Sequence, residues 1–154
     1  MASGASHVVN ATSDDVVQKL STSGASSKKY VLITGGNAGI GYAAAQLFLS
    51  KKADICQYDV TIVGRSLERL NEAKLKLETT ITPDNSNVIH IGLCDISSKL
   101  SVDTFIKEFK LNKIDYLINN AGVWLTEYTT SPESHLEMTF ATNHLGKNIL
   151  ISSC

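Results

Sequence analysis

The sequence predicts an α/β fold: a doubly wound parallel sheet truncated after four strands, in the order 3-2-1-4. Three observations lead there. From Tyr30 onward, short apolar runs alternate with segments of helical period, four times over. The runs are apolar almost throughout, as in strands covered on both faces. A glycine-rich turn follows the first run directly. Right-handed crossovers then make 3-2-1-4 the simplest spatial order.

Each element has its own signal. Tyr30-Val31-Leu32-Ile33 reads as the first strand, and Ile40, Ala43, Ala44, Leu47 and Phe48 recur at helical spacing behind it. Val60-Thr61-Ile62-Val63 is the second strand. Ser66 can cap a helix with Leu70, Ala73 and Leu77 on one side, and Pro83-Asp84-Asn85 breaks that helix. Val88-Ile89-His90-Ile91 is the third strand. Ser97 or Ser98 caps a helix bearing Val102, Phe105, Ile106 and Phe109 on one face. Tyr116-Leu117-Ile118 is the fourth strand. Ser131 as N-cap and Pro132 at the first helical position predict a last helix through Leu136 and Phe140. Residues 1–28, rich in Ser, Ala and Gly, read as a flexible leader, with a weak helix over Asp14–Leu20 capped by Ser13. Residues 29–154 are expected to form one dinucleotide-binding domain, incomplete at its C-terminus.

Composition excludes several function classes. With 14 basic and 15 acidic residues, the net charge gives no strong attraction to nucleic acid or an anionic membrane. No apolar run approaches the ~20 residues of a membrane span. Asn10-Ala11-Thr12 fits the glycosylation sequon, but no signal peptide precedes it. Cys56, Cys94 and Cys154 form no Cys-x-x-Cys pair, and the four histidines lack ligand spacing, so no metal site is expected. Reduced thiols and the absence of a signal peptide predict a cytoplasmic protein.

The turn after the first strand reads Thr34-Gly35-Gly36-Asn37-Ala38-Gly39-Ile40-Gly41. Glycines there permit positive φ and let backbone N–H groups approach a pyrophosphate unobstructed. The helix N-terminus behind them favours an anion. Gly35, Asn37, Gly39, Ile40 and Gly41 are therefore candidate cofactor-binding residues. The loop is not a phosphate-binding P-loop, because Tyr42 stands where a lysine would follow the last glycine. The bland alternative is a glycine turn made for helix–strand packing alone.

The pattern Thr-Gly-x-x-x-Gly-Ile-Gly resembles the short-chain dehydrogenase/reductase family, whose fold is Rossmann-like. Three further stretches match in order: Asp95-Ile96, Asn119-Asn120-Ala121-Gly122 and Asn143-His144-Leu145-Gly146. Phe140 to Gly146 is similar in wording to the retinol-dehydrogenase-like branch. The resemblance implies an oxidoreductase that moves a hydride between a nicotinamide and an alcohol/carbonyl pair, on a small and lipophilic substrate. It implies that Asp95 and the Ile96 backbone meet the adenine. It places Asn119 on the adenosine side, tying neighbouring loops together, and Ala121 and Gly122 beside a ribose. Asn143 would belong to the catalytic set, helping to hold a water that links to a lysine. It follows Leu136 and Phe140 at helical spacing, which predicts that it shares their buried stripe.

The choice of nicotinamide cofactor turns on the end of the second strand. An acidic residue there would take the ribose hydroxyls of NAD. The sequence has Val63-Gly64-Arg65-Ser66 instead, and Asp59 lies at the opposite end. Arg65 can hold a 2′-phosphate with its planar guanidinium and Ser66 can add a hydroxyl, so NADP(H) is expected over NAD(H). Ala38 departs from relatives that carry a second basic residue in the loop.

The family's catalytic tyrosine, with a lysine four residues on, is absent. Four residues after Tyr30, Tyr42, Tyr58, Tyr116 and Tyr128 stand Thr34, Gln46, Ile62, Asn120 and Pro132. A phenol titrating near 10 needs such a cation to work at neutral pH. The chain is thus expected to be a cofactor-binding fragment, inactive alone, and the apolar flank its last helix leaves uncovered is expected to make it marginally stable or self-associating through that helix. The alternatives are a non-catalytic dinucleotide-binding or interaction protein and a methyltransferase of similar fold. The missing acidic residue after the second strand counts against the latter.

Overall fold

The computed structural model describes residues 27–51, 56–109 and 113–153. Within them lie β1 (Ser27–Thr34), α1 (Gly39–Leu49), β2 (Cys56–Gly64), α2 (Leu67–Glu78), β3 (Val88–Leu93), α3 (Lys99–Glu108) and β4 (Tyr116–Ile118). The last helix comprises α4 (Met138–Phe140), a π-helical stretch Ala141–Gly146 and α5 (Lys147–Ser153). The strands pair in parallel in the order β3-β2-β1-β4. β1 and β2 begin earlier than their apolar runs, at Ser27 and Cys56. Most of the predicted leader, with its helix over Asp14–Leu20, lies outside the described residues.

Alternation along the strands builds two cores. Val31, Ile33, Val60, Ile62 and Ile89 point to one face, under Ala45 and Leu49 of α1 and Leu70, Ala73 and Leu77 of α2. Leu32 and Val63 point to the other, with Val102 and Phe105 of α3 and Leu150 of α5. The face of α1 agrees with the expected one only in part: Ala44 and Phe48 pack against the first core, but they are not the helix's most deeply buried residues. Its buried residues are Gly41, Ala45 and Leu49, whereas Ile40 and Leu47 are exposed. Gly41 and Ala45 let this helix lie close on the sheet, so size as well as hydropathy sets its orientation.

The last helix also differs from expectation. Ser131 and Pro132 open a turn, not a helix: His135 adopts a left-handed φ of 56°, and Thr130 bridges to Glu137. The helix starts at Met138, where the Glu137 carboxylate accepts from the Thr139 and Phe140 N–H groups at 2.8 and 2.7 Å. These donors hold Glu137 below the ordinary carboxylate range. The π-helical stretch then shifts the register. Ala141, Thr142, Gly146 and Leu150 are buried, while Leu136 and Phe140 are exposed, so no buried stripe joins Asn143 to those two residues.

Two buried polar knots fix the sheet. Asn87, 4% exposed, donates through Nδ2 to the Phe48, Leu49 and Lys51 carbonyls at 3.3, 3.0 and 2.9 Å. Its Oδ1 accepts from Tyr58 N at 2.8 Å, and Asn85 adds a bond to the Leu49 carbonyl at 2.7 Å. These amides satisfy carbonyls that the end of α1 leaves orphaned. Asn87→Ala would strand several groups at once and is expected to cost about 2–4 kcal/mol. The urea midpoint checks this, and an unchanged midpoint would mean that the C-terminus of α1 is supported otherwise.

At the other knot, Asp115 accepts from Tyr30 N (2.9 Å), Lys29 (3.0 Å) and Lys113 (2.9 Å), with its side chain 8% exposed. Lys113 first, then the Tyr30 N–H, hold this carboxyl far below its ordinary value. A depressed carboxylate contributes stability that is complete above its unfolded pKa, about 3.9, and lost as pH falls through the folded value. The melting temperature should therefore fall in acid below about pH 4, and Asp115→Asn should flatten that limb. An identical acid limb in the variant would count against the assignment.

Candidate functional site

The carboxyl ends of β1, β2, β3 and β4 open onto one cleft of about 250 Å³. It is the place where strand order reverses around β1, with β2 on one side and β4 on the other. Of the residues singled out in the sequence, Gly35, Asn37, Arg65, Asp95, Ile96, Ala121 and Gly122 line it. Four separate stretches of chain are thereby brought together. Ser66, Asn119 and Asn143 are not among the lining residues, and neither are Gly39, Ile40 and Gly41, which begin α1.

The loop after β1 is held tightly. Gly35 has φ 67°, and an added Cβ would lie 2.9 Å from Asn120 Nδ2. Asn120 Nδ2 donates to the Thr34 carbonyl (3.0 Å) and the Gly35 carbonyl (3.3 Å). The Thr34 hydroxyl accepts from Ala121 N at 3.0 Å and donates to the Ile118 carbonyl at 3.4 Å. The loop-tying amide is thus Asn120, not Asn119. The Asn119 Oδ1 is buried and takes no hydrogen bond among the described residues. Two adjacent asparagines gave no sequence signal to tell them apart.

The start of α1 is unlike those of α2, α3 and α4. Ser66 caps α2, accepting from Arg69 N at 3.4 Å, and Ser98 caps α3, accepting from Ser101 N at 3.1 Å. Glu137 caps α4. Ala38 offers α1 no side-chain acceptor, and no acidic residue stands in its first turn. Gly39 there has φ 55°, and an added Cβ would meet nothing within 4 Å among the described residues. This leaves unclaimed N–H groups and open space, a combination suited to an anion.

Around the rest of the cleft, Arg65 is exposed beyond β2 and Asn37 Oδ1 lies over Gly64, 3.0 Å from where a Cβ would sit. Asp59 is remote from this end, engaged with Lys28 and His90 at 2.8 Å each. Asp95 Oδ1 accepts from Ser97 N (2.9 Å) and Ser97 Oγ (2.7 Å). Burial pushes the Cys94 thiol up to about 11, so this cleft residue is no thiolate at neutral pH. Asn143 sits in the π-helical stretch, a feature frequent at functional sites. Its Oδ1 accepts from Val123 N (2.8 Å) and its Nδ2 donates to Val123 O (2.7 Å). The same Oδ1 would be 2.9 Å from a Cβ at Gly122, which accounts for the glycine. Thr142 and Cys94 also line the cleft and carried no sequence signal, and Gly64 and Asn120 line it from within stretches already singled out.

Comparison with known proteins gives one consistent result. The family model described as short chain dehydrogenase matches residues 29–153. The chain is 38% identical over 117 residues to the short-chain dehydrogenase/reductase ffsI of Aspergillus flavipes, covering 75% of this chain and 33% of that one. It is 36% identical over 132 residues to mouse retinol dehydrogenase 14, covering 79% and 37%. It is 37% identical over 121 residues to the chloroplastic short-chain dehydrogenase TIC 32 A of Brassica napus, covering 77% and 35%. Its fold is similar to that of a short-chain dehydrogenase from Sphingobium yanoikuyae in complex with NADPH (TM-score 0.64, 21% identity, 81% and 46% covered). An alcohol dehydrogenase from Thermococcus sibiricus complexed with 5-hydroxy-NADP is also similar (TM-score 0.61, 23% identity, 82% and 51% covered). The chain spans about a third of the length of the curated relatives it matches.

Proposed function

Because the chain belongs to the short-chain dehydrogenase family, we propose that it binds NADP(H), in preference to NAD(H), as the cofactor-binding part of an oxidoreductase acting on an alcohol/carbonyl pair. The observation that carries this is the uncapped start of α1 beside a cleft that gathers Gly35, Arg65, Asp95 and Gly122.

In this reading the N–H groups of Gly39, Ile40 and Gly41 hold the pyrophosphate. Arg65, with the Ser66 hydroxyl beside it, holds the 2′-phosphate, and Asp95 with the Ile96 backbone holds the adenine. Asn119, Ala121 and Gly122 flank the adenosine and nicotinamide ribose path, and Asn37 closes the loop over Gly64. When bound, the nicotinamide supplies or accepts a hydride. Asn143 serves the catalytic set by fixing Val123, and with it the backbone beside Gly122. The proton-transfer partners are not among these 154 residues, because no tyrosine has a lysine four residues on. A polypeptide of this sequence alone is therefore proposed to be inactive. A non-catalytic dinucleotide-binding role is the second reading, favoured by that same absence.

The substrate is proposed to be lipophilic, on the strength of the likeness to retinol dehydrogenase 14. No helix among the described residues is long and apolar enough to cross a membrane. Cytoplasmic location and self-association through the last helix, where Phe140 and Ile151 are exposed, belong to the same proposal.

Arg65→Asp tests the cofactor assignment. Exchanging a guanidinium for a carboxylate should weaken NADPH at least about tenfold and bring NADH level with it or ahead. Fluorescence titration with both nucleotides reads this directly, and an unaltered ratio would remove Arg65 from the site.

A further inference from the structure

The turn that presents Asp95 is held from two sides. On its own side, Ser101 Oγ accepts from Asp95 N at 2.9 Å, and Ser97 donates twice to Asp95 Oδ1. Ser98 Oγ accepts from Ser101 N at 3.1 Å. On the far side stands Glu133, from the turn before the last helix. Its Oε2 accepts from the Ser98 hydroxyl and its Oε1 accepts from Leu100 N at 3.2 Å. The neighbouring Ser131, 1% exposed, donates to the Ser97 carbonyl at 3.5 Å. A continuous hydrogen-bonded chain thus runs Glu133–Ser98–Ser101–Asp95. Glu133 also places a negative charge at the positive end of α3, and hydrogen bonds to an ionised acceptor are the stronger kind.

We propose that Glu133 is a positioning residue for the adenine end of the cofactor site, latching the 131–137 turn onto Ser98 so that the Asp95 carboxylate keeps its aim; the inference rests on the cofactor reading above. With Oδ1 held by Ser97, Oδ2 is the oxygen left to accept from an adenine amino group. If the latch opens, the Ser97–Ser101 turn loosens and Asp95 loses direction, while Arg65, which follows the neighbouring strand β2 and takes no part in this chain of bonds, is untouched. Simple helix capping by Glu133 would alter stability without altering which base is preferred.

Deamino-NADPH, which has hypoxanthine in place of adenine, separates the two roles. Its carbonyl oxygen would face the Asp95 carboxylate, acceptor against acceptor. The native chain is expected to bind NADPH about tenfold more tightly than the deamino form. In Glu133→Ala that ratio should drop to about twofold or less, while the NADPH-to-NADH ratio set by Arg65 stays as it was. Glu133→Gln, which can still accept from Leu100 and bond to Ser98, should retain most of the base preference. Ser98→Ala should reproduce the loss, and it serves if Glu133→Ala does not fold. A full base preference in folded Glu133→Ala and Ser98→Ala overturns the proposal, as does a native chain that binds both bases equally. A native chain that binds neither nucleotide overturns the cofactor reading first, and the latch with it.

Discussion

A polypeptide of these 154 residues is expected to give no steady turnover of aldehydes, ketones or alcohols, even at saturating NADPH or NADP⁺. Hydride transfer to a carbonyl needs a proton delivered to the developing alkoxide. The five tyrosines could supply a phenol, but none has a lysine one helical turn on to lower its pKa. A positioned general acid contributes about 10²–10⁴ in rate, and losing substrate alignment removes more. Asn143 cannot substitute, since both ends of its amide are engaged with Val123. The assay follows nicotinamide absorbance across a broad substrate panel. Steady turnover that disappears in Asn143→Ala would show a catalytic route within this chain that the proposal denies.

The second large effect is expected at Gly41. An alanine Cβ there would stand 2.4 Å from the Gly35 carbonyl oxygen and 2.6 Å from Asn120 Nδ2. The first contact is backbone, and the second is the amide that ties the loops after β1 and β4, so neither can yield without opening the knot. Gly41→Ala should therefore lower the melting temperature and reduce NADPH affinity by about 100-fold or more. Gly39→Val behaves differently. Among the described residues nothing lies within 4 Å of that Cβ, so the expected stability cost is the left-handed φ alone, about 1–2 kcal/mol. Its β-branch would instead fill the path of the pyrophosphate, and nucleotide binding should be lost in a folded protein. Nucleotide affinity surviving in folded Gly39→Val would mean that the loop serves packing only.

The sheet order was legible because its signals are local and repeated: four apolar runs, each followed by a helical period, leave few right-handed arrangements. Much of the cleft lining was legible for a related reason. Ligand crevices of open parallel sheets form at the carboxyl ends of strands, and the glycine turn, Arg65, Asp95 and Ala121-Gly122 all stand there in the sequence. What escaped depends on contacts between distant residues. The role of Asn120 rather than Asn119 is decided by which amide reaches the Thr34 carbonyl, 86 positions away. Asn87 reads as a loop residue until the end of α1 is placed beside it. The late start of the last helix follows from a left-handed His135 and the Thr130–Glu137 bridge, which override the Ser-Pro start signal. The orientation of α1 follows in part from Gly41 and Ala45 permitting close approach, a steric effect that apolar periodicity does not register.

The most direct test of the central claim is calorimetric titration of the native chain with NADPH and with NADH under the same conditions. Saturable binding of one NADPH per chain, at least about tenfold tighter than NADH, is the predicted result. Equal affinities, or no heat of binding with either nucleotide, would contradict it.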